Sequence, residues 1–134
     1  MSKIKVKKIT LERAEGPSPL DSPRTAPSFE EADRILREWA HTAPEGGGYN
    51  KIDFEIEWQD GETYKGTYDL KRQDEARANL IGSHVQEFLS FHSGLWCPAH
   101  MTREDCDRYL EEMERRPGGP KRMDFVRFLQ KYEL

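Results

Sequence analysis

Tyr49-Asn50-Lys51-Ile52-Asp53-Phe54-Glu55-Ile56-Glu57-Trp58-Gln59-Asp60-Gly61-Glu62-Thr63-Tyr64-Lys65-Gly66-Thr67-Tyr68-Asp69 decides the architecture, because apolar and charged residues alternate through a stretch that turns at Asp-Gly. Ile52, Phe54, Ile56 and Trp58 recur at period two and share one face of a strand, while Asp53, Glu55, Glu57 and Gln59 point the other way. A two-residue turn at Asp60-Gly61 would set Trp58 opposite Thr63 and Ile56 opposite Lys65, which mixes the faces. A three-residue loop, Gln59-Asp60-Gly61, does not. It takes a type I turn plus a bulge, with Gly61 at positive φ, and pairs Ile56 with Tyr64, Phe54 with Gly66 and Ile52 with Tyr68. Gly66 then leaves a gap opposite Phe54, filled either by the Phe54 ring or by a side chain from a covering helix.

Outward from this hairpin, 134 residues with 35% hydrophobic and 34% charged residues fit one small domain over residues 1–134 with a modest core. There is no run of about 18 apolar residues, and the start, Met1 to Lys8, lacks the apolar region of a secretory signal. The expected location is the cytoplasm, where Cys97 and Cys106 are expected to stay as two free thiols.

Ile4 and Val6 alternate with lysines before the phase shifts to Ile9 and Leu11, which predicts a strand over 3–13 with a bulge near Lys7-Lys8, its lysines suiting a sheet edge. Residues 14–27 hold Pro17, Pro19, Pro23 and Pro27, a composition that predicts a mobile loop without regular structure. Ser28 and Glu31 form a capping box for a helix whose inner face is Phe29, Ala32, Ile35, Leu36 and Trp39, ending near His41. The glycines at 46–48 precede a strand and lack a following Lys-Ser/Thr, so they do not make a phosphate-binding loop. A long amphipathic helix is predicted over 74–92, stopped at Gly94, and Leu95-Trp96-Cys97-Pro98 is predicted to pack under the sheet. Thr102 and Asp105 open a helix with Cys106, Tyr109, Leu110 and Met113 on one side. A last helix from about Pro120 to Tyr132 carries Phe125, Phe128, Leu129 and Tyr132. The expected fold is α+β: a small antiparallel sheet around the central hairpin, helices on one face, and a helical tail over 96–134.

Three sets of residues carry possible function. Asp53, Glu55, Glu57 and Asp69 form an acidic face, which reads either as solvated surface or as a protein-binding surface in which carboxylates stand in for phosphates. Lys65 on the same side weakens that mimicry, and an open face lacks the cleft and raised pKa that paired-carboxylate hydrolysis needs. Lys3, Lys5, Lys7, Lys8, Arg115, Arg116, Lys121 and Arg122 form two basic clusters suited to nucleic acid, although the net charge of −4 opposes bulk attraction. His92, Cys97, His100 and Cys106 offer four zinc ligands within 15 residues, without paired knuckle spacings. Cys97 with His84, His92 or His100 is a conceivable nucleophile–base pair, but Pro98 follows the thiol and no oxyanion-hole pattern accompanies it.

Gly48-Tyr49-Asn50-Lys51, the Asp60-Gly61-x-x-Tyr64-x-Gly66 turn and the Tyr68-Asp69 exit, followed by Leu80-Ile81-Gly82-Ser83-His84-Val85 and Phe91-His92-Ser93-Gly94, resemble the large polyvalent protein-associated domain, type 25. The likeness spans residues 3–95. Proteins of phages and conjugative elements carry that family, which has no established enzymatic role and no agreed catalytic residues to transfer. Against the usual setting, this chain is expected to stand alone and to add a helical tail. The resemblance implies a non-enzymatic protein-binding module of a mobile genetic element without a cofactor. An inhibitor of host defence, of the anti-CRISPR or anti-restriction type, fits that setting, acting on a host or element-encoded protein through the acidic face and Trp96. An accessory nucleic-acid-binding domain is the alternative, and a Cys/His zinc protein the weaker one.

Overall fold

The hairpin is the centre of a four-stranded antiparallel sheet. β1 (Val6–Glu15), β2 (Arg24–Ala26), β3 (Lys51–Trp58) and β4 (Thr63–Asp69) lie in the order β2-β1-β3-β4. The computed structural model describes residues 3–16, 21–46, 48–93, 97–116 and 125–133. The β3–β4 register pairs Ile56 with Tyr64, Phe54 with Gly66 and Ile52 with Tyr68, as the three-residue loop requires. Gly61 has φ +88°, its N–H donates to the Trp58 carbonyl at 3.0 Å, and the Trp58 N–H donates to the Glu62 carbonyl at 2.9 Å. The gap at Gly66 is filled by the Phe54 ring: a Cβ built on Gly66 would lie 2.4 Å from Phe54 Cζ.

β1 pairs with β3 from Val6 to Glu15, with a register shift between Val6 and Lys8 where a bulge is expected. It is not an edge strand. Ile9, Thr10 and Leu11 also pair with Ala26, Thr25 and Arg24 of β2. The proline-rich stretch is therefore more ordered than its composition predicts, because Pro23 and Pro27 flank the three-residue strand and do not interrupt it. Trp39 Nε1 donates to Asp21 Oδ1 at 3.1 Å, and Arg24 pairs with Asp21 at 2.8 Å and Glu38 at 3.5 Å, which fastens this segment to the next helix. Residues 17–20 of the expected loop lie outside the described residues.

α1 (Phe29–Ala40) begins at Ser28, whose hydroxyl accepts the Glu31 N–H. It buries Ala32, Ile35, Leu36 and Trp39. α2 starts later than the periodicity predicts, at Leu80–His92, because a 3-10 turn over Arg72–Ala76 and a left-handed Asn79 (φ +56°) occupy the preceding residues. The helix is capped from outside: the buried Asp33 of α1 accepts the Ile81 N–H at 2.9 Å. Burial is the larger influence on that carboxyl and raises its pKa against this hydrogen bond.

α3 (Arg103–Arg115) is capped by Thr102, and α4 spans Phe125–Lys131. Ile9, Leu11, Ile35, Leu36, Ile52, Phe54, Ile56, Trp58, Leu80, Ile81, Val85, Phe128 and Tyr132 belong to one apolar cluster, so α1, α2 and α4 all cover the same face of the sheet. α4 closes that core at the hairpin end. Trp58 meets Phe128 edge-on at 5.2 Å and Tyr132 at 4.6 Å, while the Tyr132 hydroxyl donates to Asp60 at 2.7 Å. Ile4 and Tyr132 add a parallel bridge. No helix among the described residues is long and apolar enough to cross a membrane.

Candidate functional site

The opposite face of the sheet carries the charges. Its side chains follow from the register in four rows across the strands: Lys8–Glu57–Thr63, Thr10–Glu55–Lys65, Glu12–Asp53–Thr67 and Glu15–Lys51–Asp69. The expected acidic surface is thus real as a placement, but much of it is internally neutralised. Glu57 meets Lys7 at 3.4 Å and Lys8 at 4.0 Å, Glu55 meets Lys65 at 3.5 Å, and Glu15 meets Lys51 at 3.8 Å. Asp69 is half-buried, and its Oδ2 accepts the Gly48 N–H, closing the loop before β3. Asp53 accepts the Thr67 hydroxyl.

α3 stands over this face. Tyr109 and Met113 join Thr10, Glu12, Asp53, Glu55, Lys65 and Thr67 in lining a cleft of about 530 Å³. Tyr109 remains 43% exposed, and its ring meets Phe91 of α2 at 5.7 Å. The second anchor of α3 is covalent: Cys97 and Cys106 form a disulfide with Cα atoms 6.4 Å apart. This overturns the expectation of two free thiols. Cys97 lies in an irregular connector, where no periodicity predicts its approach, and α3 turns Cys106 inward toward it, leaving that residue 2% exposed. With both sulfurs bonded to each other, neither is a thiolate for zinc or a nucleophile for His84, His92 or His100. Among the described residues, no group of three or more His, Cys, Asp or Glu side chains is placed to hold a metal ion, and the His92 side chain lies outside them.

A second cleft of about 590 Å³ continues from the first past Thr67, lined by Asp69, Lys71, Asp74, Arg77, His84, Glu87, Phe91, Pro98 and His100. Asp74 is 2% exposed and fully engaged, accepting the Lys71 N–H at 2.9 Å and Arg77 at 3.3 Å. Burial pushes His84 down to about 4, only partly opposed by the nearby Asp74 carboxylate, so the imidazole is neutral at pH 7. The Thr67 hydroxyl, where the two clefts meet, donates to Asp53.

The two basic clusters fare differently. Lys3 and Lys5 are exposed, Lys7 and Lys8 are paired with Glu57, and Arg115 and Arg116 end α3. Lys121, Arg122 and Trp96 lie outside the described residues. Glu12, Thr67, Tyr109 and Met113 were not singled out as a site by sequence reasoning. Glu12 carries a readable signal, being in phase with Thr10 on β1, whereas only the tertiary fold shows that Tyr109 faces the sheet.

Comparison with known proteins returns nothing. No family model matches the chain, and no curated protein or solved structure does.

Proposed function

We propose that the chain is a non-enzymatic protein-binding module that engages its partner through the outer face of the sheet and the cleft under α3. One observation carries this reading: α1, α2 and α4 pack on the apolar face, while the other keeps a charged, open cleft with Tyr109 exposed at its wall. Ion pairs within 4 Å already join neighbouring strands there, which holds the surface in one arrangement before a partner arrives. The motif resemblance over 48–94 supports a phage or conjugative-element setting, with a host or element-encoded protein as target and a defence system of the CRISPR or restriction type among the targets.

The cytoplasmic location belongs to the same reading and is opposed by the Cys97–Cys106 bridge, since cytosolic disulfides are uncommon. Thiol trapping in intact cells tests it, and a closed bridge in the cytoplasm at steady state would mark an unusual redox site. The binding reading is tested by pull-down of the tagged chain from bacterial host lysate with and without nuclease. A stoichiometric protein partner that survives nuclease and is lost on Asp53→Lys/Glu55→Lys/Glu57→Lys supports it. The nucleic-acid alternative rests on the exposed Lys3, Lys5, Arg115 and Arg116, and requires recovery only with nucleic acid and affinity that falls steeply with salt.

A further inference from the structure

We infer that the cleft between β3 and α3 receives an arginine side chain from a basic segment of a partner protein, with Glu12 and Asp53 taking the guanidinium, the Tyr109 ring stacking on its plane and Met113 covering its stem. The inference rests on the binding-module reading and adds the chemistry of the partner.

The register sets Glu12 directly opposite Asp53 on the outer face. Side chains in that relation stand about 4.5–5.5 Å apart at Cβ, and like charges so placed repel. Every neighbouring row solves the problem internally: Glu57, Glu55 and Glu15 each have a lysine within 4.0 Å. The Glu12–Asp53 row does not. Among the described residues neither carboxylate has a lysine or arginine partner, and Asp53 takes only the Thr67 hydroxyl. The one uncompensated carboxylate pair of the face therefore lies in the cleft that Tyr109 and Met113 wall.

Charge complementarity asks for a cation, and the walls select its kind. A calcium ion takes six to eight oxygen ligands, whereas two carboxylates and a hydroxyl beside an aromatic ring and a thioether supply few. A guanidinium is planar, presents five donors that two carboxylates can share, and stacks on an aromatic ring. The Tyr109 ring, steadied by Phe91 at 5.7 Å, offers that surface.

The test is an amide chemical-shift titration of the full chain with a terminally blocked glycine-serine hexapeptide carrying one arginine, beside its citrulline and lysine counterparts and calcium chloride. Saturable shifts at Glu12, Asp53, Thr67 and Tyr109 are expected, weakened at least tenfold for citrulline and for Glu12→Gln/Asp53→Asn. Tyr109→Leu, which keeps an apolar contact to Phe91, is expected to weaken binding several-fold. Absent shifts, equal binding of citrulline, undiminished binding by the double variant, tighter binding of lysine, or saturation of the same amides by calcium would each overturn the inference. A partner still captured through the outer face while the peptide fails would sink the arginine niche alone; loss of both would remove the binding reading as well.

Discussion

Replacing Gly66 by alanine tests the hairpin at its tightest point. A Cβ at that position would sit 2.4 Å from Phe54 Cζ and 2.8 Å from Cε1, against a comfortable carbon–carbon separation of about 3.5–4.0 Å. The ring must retreat by more than 1 Å or so into a core where Phe54 is 2% exposed and interior packing leaves few voids. Overpacking of this kind costs about 1–3 kcal/mol. Alanine returns about 0.5–1 kcal/mol, because glycine is entropically unfavourable in a strand. Taking the middle of each range, about 2 against about 0.75 kcal/mol, the net loss for Gly66→Ala is about 1 kcal/mol. In a Phe54→Leu background the obstructing ring is gone, and the same substitution should become stabilising by about 0.5 kcal/mol. Urea unfolding of the four proteins measures both effects, provided the m-values agree. A Gly66→Ala variant as stable as the parent, or one that loses the same amount in both backgrounds, would refute the packing account.

Glu12→Gln removes one of two facing carboxylates and should raise stability by about 0.2–1 kcal/mol in urea unfolding, an unusual sign for a surface change. No gain would mean the pair is already neutralised. His84 is held neutral with its pKa near 4, below the ordinary 6.5, so the unfolded chain takes up the proton first. Stability from this group is complete above pH 6.5 and is lost as pH falls toward 4; the difference between parent and His84→Gln stabilities should slope with pH over that window and be flat with pH around 7.5. The disulfide closes a span of nine residues, for which chain entropy predicts about 2.5 kcal/mol. Cys97→Ser/Cys106→Ser should accelerate hydrogen exchange across Arg103–Arg115 while leaving β1 and β3 protected, and unchanged exchange in α3 would show that the bridge does not anchor it.

Local alternation and turn chemistry made the hairpin legible down to its register, because a one-residue slip would have exposed Ile52, Phe54, Ile56 and Trp58 together. Ser28 and Thr102 marked helix starts for the same reason: a side-chain oxygen satisfies a nearby amide within one turn. What was hidden depends on distant partners. The α2 start is set by Asp33, whose burial gives no local sign, and Asn79 breaks a pattern whose apolar spacing runs on. β2 is three residues long and exists through its pairing with β1, so the prolines dominated its reading. At the outer face, the positions of Asp53, Glu55 and Glu57 were readable from period two alone. The neutralisation of Glu55 by Lys65 and of Glu57 by Lys7 and Lys8 needed the bulge and the cross-strand register. The disulfide and the Tyr109 wall were invisible, since both arise from where α3 comes to rest.

The outer face is most directly tested by measuring affinity for the captured partner, comparing the parent chain with Asp53→Lys/Glu55→Lys/Glu57→Lys and with Glu30→Lys, a control at an exposed position of α1 on the other side of the sheet. The triple variant should bind at least about tenfold more weakly, with the control within about twofold. Equal affinity for all three proteins would contradict the assignment of the outer face as the binding surface.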